Sequence, residues 1–248
     1  MAAVQVAIFL FTDFGSDDLY VGQVKSALHE YAPGNAVVID LLHNAPAFNV
    51  RASAHLLAAL VGRVPPESVV VAVVDPGVGG ARRPVAMRAD GRWYVGPDNG
   101  LMSVIAARAQ AAQIFLITWR PPTLSASFHG RDLFAPFAGM LAGDARAADR
   151  MEAQAGLDVR LGGDDLAEVI YIDHYGNAMT GLRAGRLHRK QCVVAGERRL
   201  AHARVFADIE AGEACWYENS IGLIEIAANG TSASAKLGLR LGQPLAVD

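Results

Sequence analysis

The chain has 248 residues, 52% hydrophobic and 19% charged, with 25 glycines and a formal charge of -3. This is a globular composition without a disordered arm, long enough for one large unit or two ordinary domains. Its 22 Lys and Arg are scattered, so it has no broad basic field for a phosphate backbone and nucleic acid is not an expected partner.

The apolar run at 4–11 reads as a first buried strand. No basic segment precedes it and Thr12-Asp13 follow at once, unlike a secretory leader. No apolar stretch reaches bilayer length. Two cysteines, Cys192 and Cys215, are too few for a disulfide framework and lack metal-ligand spacing. They read as small apolar fillers, and a reducing cytoplasm is the expected setting.

Helical periodicity follows over 18–31, closed by Pro33-Gly34. Next come a strand at 36–42, helical spacing at 49–64 stopped by Pro65-Pro66, and a wholly apolar strand at 69–74 running into Asp75. That succession predicts parallel βαβ units. Segments 84–88 and 92–95 form a predicted hairpin around Asp90-Gly91. Helix signals resume at Asn99, a strand is expected at 113–118, and a helix from near Arg131. Between 143 and 165 the sequence turns to mixed charge, Ala and Gly. The boundary is placed there, giving domains 1–155 and 166–248. The second shows short strands (169–173, 191–194, 223–227) and no strong helix, which suggests a small β-domain.

Open parallel sheets bind ligands beyond the carboxyl ends of their strands. Two acidic tips fall there: Asp13, with Asp17 and Asp18 shortly after, and Asp75. Asp17 reads as a helix-capping or first-turn acid. Asp13 ends a buried strand, where an idle carboxylate would be costly to desolvate; a pair of ligand hydroxyls would satisfy it. The segment Gly77-Val78-Gly79 lacks the third glycine of a dinucleotide loop, Arg82 standing in its place. These glycines instead permit a turn that brings Arg82 back to Asp75, with a purely structural ion pair as the alternative. His129 lies in a polar, glycine-containing stretch directly before an apolar helix, unlike a core histidine. His43 follows a strand and fits either reading. Asp13, Asp18, Asp75 and His129 could in principle hold a divalent ion. With no His-x-His or His-Glu-x-x-His pairing, metal-dependent hydrolysis ranks below a metal-free mechanism.

Taken together, Phe11-Thr12-Asp13-Phe14-Gly15, Asp75-Pro76-Gly77-Val78-Gly79 with Arg82-Arg83, Gly96-Pro97-Asp98-Asn99-Gly100, Phe128-His129-Gly130-Arg131-Asp132, Asp173-His174-Tyr175-Gly176-Asn177 and Asn219-Ser220 with Glu225-Ile226-Ala227 resemble the adenosine-forming S-adenosyl-methionine hydrolases. These are relatives of the fluorinating and chlorinating enzymes that use the same substrate. The resemblance implies an α/β N-terminal domain with a mostly parallel sheet and a smaller, barrel-like all-β C-terminal domain. It also implies a homotrimer whose substrate lies between the N-terminal domain of one subunit and the C-terminal domain of the next. Carried over by motif, Asp75, Arg82 and His129 are the catalytic residues. Asp13 would bind the ribose hydroxyls, and Asp18 and Phe48 would lie near the methionine part. Asp173, Tyr175, Asn177 and Ser220 would contact adenine or the amino-acid end. Phe48 stands where some relatives have tryptophan and Tyr175 where phenylalanine is common; both keep an aromatic surface.

The implied substrate is a sulfonium whose C5′ is attacked in line, so the site must supply and orient a nucleophile. A carboxylate beside a halide would repel it, whereas an Asp-Arg-His cluster suits water. Hydrolysis to adenosine and methionine is therefore expected, with no cofactor and no metal. A halogenase is the alternative, and a non-catalytic adenosyl-ligand sensor the second alternative.

Overall fold

The computed structural model describes residues 6–143 and 145–248. Val4 and Gln5 of the predicted first strand, and Asp144 of the expected inter-domain stretch, lie outside the described residues. The chain divides into two compact units, the first ending at Gly163 and the second spanning Asp164–Asp248.

The first unit runs β1 (Ala7–Thr12), α1 (Leu19–Tyr31), β2 (Val37–Leu42), α2 (Val50–Leu60), β3 (Val69–Val73), β4 (Pro84–Ala89), β5 (Arg92–Pro97), α3 (Ser103–Arg108), β6 (Ala112–Ile117), α4 (Ala135–Gly143) and β7 (Met151–Gln154). The seven strands make one sheet in the order β2-β1-β3-β5-β4-β6-β7. The β2/β1, β1/β3 and β3/β5 pairs are parallel, while β5/β4, β4/β6 and β6/β7 are antiparallel. The sheet is thus mixed. The reversal comes from the β4–β5 hairpin, whose Asp90 and Gly91 both take positive φ, 45° and 76°, as a tight hairpin turn requires. Strand β7 falls in the stretch whose composition suggested a linker; its four residues are too few for a pattern and none is fully buried, and pairing with β6 makes it a strand.

Local chemistry explains the helix ends. Asp18 caps α1 by accepting from the Leu19 amide at 2.6 Å, so the cap falls on Asp18 and not on Asp17. Asn49 caps α2 by accepting from the Ala52 amide at 3.0 Å. Helix α1 turns Val21, Val24 and Leu28 inward, the 3.6-residue spacing of a surface helix. Helix α4 is entered through a π-type turn at Gly130–Phe134 and is apolar nearly all round, with Ala135, Phe137, Ala138 and Met140 buried. It packs with Ile8, Leu10, Val24, Leu28, Val71 and Val95 in one core, covering the strands whose ends carry Asp13 and Asp75.

The second unit contains β8 (Leu166–Ile172), β9 (Ala178–Arg183), β10 (Val193–Ala195), β11 (Arg198–Leu200), β12 (Ala214–Glu218), β13 (Leu223–Ala228), α5 (Ala233–Leu237) and β14 (Ala246–Val247). They form two antiparallel sheets, β12-β13-β9-β8 and β11-β10-β14. Val169, Trp216, Ile224 and Ile226 lie in its core, and the Trp216 indole donates to the Gln191 carbonyl at 3.0 Å. The β8–β9 loop carries Asp173, Tyr175 and Asn177; the β12–β13 turn carries Ser220.

Phe137 is wholly buried. Phe137→Ala should therefore destabilise the protein by about 3–5 kcal/mol, read as a lower denaturant midpoint with little change in slope.

Candidate active site

Strands β1 and β3 are adjacent and in register, Thr12 opposite Val73, so Asp13 and Asp75 leave the same edge of the sheet. The loop after Asp75 turns sharply. Gly79 takes φ 77°, and a Cβ there would lie 2.4 Å from the Ala126 carbonyl oxygen; only glycine lets this loop lie so close to the segment preceding His129.

That approach places Arg82 between Asp75 and His129. Arg82 Nε donates to both Asp75 oxygens, at 3.0 and 2.9 Å, and Arg82 Nη2 donates to Asp75 Oδ2 as well. The same Nη2 lies 2.9 Å from His129 Nδ1, and the guanidinium stacks 5.3 Å from the Phe134 ring. Side-chain exposure is only 10% for Arg82 and 5% for Asp75. Because a guanidinium can only donate, His129 Nδ1 must accept, which makes the imidazole neutral with its proton on Nε2. Burial, then the charge of Arg82, lower the His129 pKa and reinforce the same state.

Asp75 and His129 line a cavity of about 350 Å³ together with Asp13, Asp18 and Phe48; Arg82 stands behind this wall. Asp13 Oδ2 accepts from the Phe48 amide at 3.4 Å. Burial raises the Asp13 pKa and so does the charge of Asp75, while the Phe48 amide opposes them. Phe48 is 79% exposed and takes φ 60°, an unusual conformation for an aromatic residue that merits a functional reading. Sequence reasoning assigned nothing to Phe14, Tyr20, Ser127 or Phe128, which also line this cavity. The three rings form a cluster with centroids 5.4 to 5.9 Å apart. Phe14 and Phe128 flank the motif acids and histidine, and that adjacency was their only signal in the sequence.

In the second unit, Asp173, Tyr175, Asn177 and Ser220 line a cavity of about 750 Å³. Asp173 Oδ1 accepts from the amides of Tyr175 and Asn177 at 2.9 and 2.8 Å, and Oδ2 from Asn177 Nδ2 at 3.3 Å. Its carboxylate is thus engaged in folding the loop, which leaves Tyr175 77% exposed. Sequence reasoning placed Asn219 and Glu225 in a motif block without assigning them a role, and passed over Tyr217; all three stand in this wall. Glu225 is buried and accepts from the Tyr217 hydroxyl and from Asn219 Nδ2 at 3.0 Å. Burial, then Glu225, push the Tyr217 pKa up.

Neither wall includes a Lys or Arg, whereas the first contains Asp13, Asp18 and Asp75 and the second Asp173 and Glu225. Both favour a neutral or cationic ligand. Among the described residues no group of three or more His, Cys, Asp or Glu is placed to hold a metal ion, and no helix is long and apolar enough to cross a membrane.

A mixed α/β unit presenting a guanidinium-bridged Asp-His pair at a carboxylate-lined cavity, followed by an antiparallel β unit with its own acidic cavity, defines a class of small-molecule enzyme. Comparison with known proteins makes this specific. Residues 8–151 match the SAM hydroxide adenosyltransferase N-terminal domain and residues 167–246 the SAM hydroxide adenosyltransferase C-terminal domain. The chain belongs to this family. It is 40% identical to the (R)-S-adenosyl-L-methionine hydrolase of Thermus thermophilus, over 96% of this chain and 98% of that one. It is 38% identical to the protein of the same name in Salinispora arenicola, over 95% of each. Among solved structures, an uncharacterized conserved protein from Thermotoga maritima superposes with a TM-score of 0.87 at 30% identity, covering 98% of this chain and 99% of that one.

Because the folded-state pKa of His129 lies below its ordinary value, the unfolded chain binds the proton more readily and stability falls as pH drops through the unfolded value near 6.5. Denaturant midpoints between pH 7.5 and 5 should fall more steeply for the wild type than for His129→Gln.

Proposed function

We propose that this protein hydrolyses S-adenosyl-methionine to adenosine and methionine, and that Asp75, Arg82 and His129 carry the chemistry. The observation that supports this most is the Asp75–Arg82–His129 chain at the edge of a cavity with three carboxylates and no cation. These carboxylates suit a sulfonium. In the reaction a water oxygen bonds to C5′ while the C5′–S bond breaks, its electron pair leaving on the sulfur of neutral methionine. Asp75 Oδ1 accepts only from Arg82 Nε, whereas Oδ2 accepts from both Nε and Nη2, so Oδ1 retains acceptor capacity with which Asp75 can accept a hydrogen bond from the water and take its proton as the O–C bond forms. That proton then passes to solvent. A weak base suffices, because water becomes strongly acidic as it alkylates. His129 Nε2–H orients the water by donating to its oxygen, and Arg82 fixes both partners.

We assign Asp13 to the ribose hydroxyls, Asp18 and Phe48 to the methionine side, and Tyr175, Asn177 and Ser220 to adenine or the amino-acid end, with Asp173 acting by holding its loop. Tyr175 and Phe48 are large, exposed aromatics, which supports a covering subunit; the count of three rests on the family resemblance. Light scattering at three times the chain mass would bear this out. We place the enzyme in the cytoplasm, in keeping with its two free cysteines, and assign it no metal, cofactor, nucleic acid or membrane partner. The curated relatives are named for the (R) sulfonium epimer, and we propose the same preference here.

Purified protein in halide-free buffer should release adenosine, unaffected by a chelator. Asp75→Asn should lower turnover by about 100-fold or more while substrate still binds by calorimetry. Unchanged turnover, or a halide-dependent 5′-halo product, would overturn the assignment. With epimerically resolved substrate, the (R) form should be consumed first; preferential loss of the (S) form would refute that preference.

A further inference from the structure

His43, ambiguous in the sequence, is 5% exposed and sits at the centre of a directional chain. Its Nδ1 lies 2.8 Å from Thr12 Oγ1. Its Nε2 lies 3.1 Å from Asp40 Oδ1, a close but poorly aligned ion-pair contact. Asp40 Oδ2 is 2.7 Å from Lys25 Nζ. The carboxylate beside Nε2 favours the tautomer protonated there. Nδ1 is then an acceptor, Thr12 must donate its hydroxyl proton to it, and a Thr12 oxygen lone pair remains for the Phe14 amide at 3.3 Å.

The chain runs along a seam between the loops after β1 and β2. Gly15 donates its amide to the His43 carbonyl at 2.8 Å and Ala45 its amide to the Thr12 carbonyl at 3.1 Å. Ser16 donates to Asn44 Oδ1 at 3.1 Å. Asp13 lies within the seam, bracketed by Thr12 and Phe14, and takes the Phe48 amide from the other loop. Moving either loop therefore moves the Asp13 carboxylate.

We propose that Thr12, His43 and Asp40 are positioning residues that aim Asp13 at the vicinal hydroxyls of the ribose, making the recognition of a 2′,3′-diol depend on a polar chain behind the cavity: the Thr12–His43 hydrogen bond and the His43–Asp40 contact. This rests on the hydrolase reading above. Thr12 is 1% exposed and is not part of the cavity wall; it acts through Asp13. A structural role for the chain would lower the fraction of folded protein and leave ligand preference intact.

The test is calorimetric binding of adenosine and of 2′,3′-dideoxyadenosine. The wild type should prefer adenosine by about tenfold or more, the magnitude of hydrogen bonds to a charged group. Asp13→Ala should remove the preference. Thr12→Val should reduce it to about two- or threefold, while Thr12→Ser, which keeps the hydroxyl, should restore it. Asp40→Val, at a half-exposed edge-strand position, should weaken it in the same direction, and decides the matter if Thr12→Val does not fold. Preference retained in Thr12→Val or Asp40→Val, or absent from the wild type, overturns the proposal. Wild-type adenosine release, measured separately, shows whether the hydrolase reading stands in either case.

Discussion

The site depends on one largely enclosed cation. Arg82 ties Asp75 to His129 in a place where neither charge of the ion pair is well solvated. Desolvating an isolated guanidinium or carboxylate costs several kcal/mol, and a pair repays this only with good geometry and further hydrogen bonds. Here Arg82 gives two nitrogens to one carboxylate and uses the second also for the imidazole, with Phe134 beneath it. One side chain thus sets the orientation of the carboxylate, the tautomer of the histidine and the absence of positive charge on its ring. Lysine could not do this, since a point cation lacks the planar fork.

The surrounding fold provides the conditions for that geometry. Parallel pairing of β1 with β3 brings two acids to one sheet edge. Gly79 lets the loop from β3 lie against the segment leading to His129, and the π-type turn leads from His129 into the most apolar helix of the unit. The chemistry is therefore borne on loops while the rigidity comes from the strands and from α4 beneath them. Burial is the main cause of the upward shift of Asp13, and repulsion from the charge of Asp75 adds to it. A cationic ligand relieves that repulsion.

The second unit uses a different device for the same end. Asp173 spends its carboxylate on the amides of its own loop. Buried Glu225 is satisfied by Tyr217 and Asn219 without a cation, and Asn219 in turn accepts from the amides of Ile221 and Leu223. Polar side chains here hold turns, and those turns present Tyr175 and Ser220.

Much of this was legible in the sequence where a signal is local. The fully apolar β3 with Asp75 at its end, the Asp90-Gly91 hairpin and the helical period of α1 all follow from residue chemistry within a few positions. The motif blocks carried the family. Strands β7, β9, β11, β12 and β14 were missed because they are short or lack clean alternation; β7, β9 and β14 also depend on partners distant in sequence, whereas β11 and β12 pair with the next strand in the chain. The expectation that Asp17 serves the start of α1 went to its neighbour, a difference of one residue that backbone geometry decides. What the sequence determined by itself was the inventory: which acids, cation and histidine stand beside which strands and glycines. Only the tertiary structure decided that Arg82 reaches His129 across 47 positions, that His43 turns to Thr12, and that Tyr217, Asn219 and Glu225 share one network. Hydrogen bonds act over about 3 Å of space whatever the separation along the chain, and no spacing rule in one dimension encodes that.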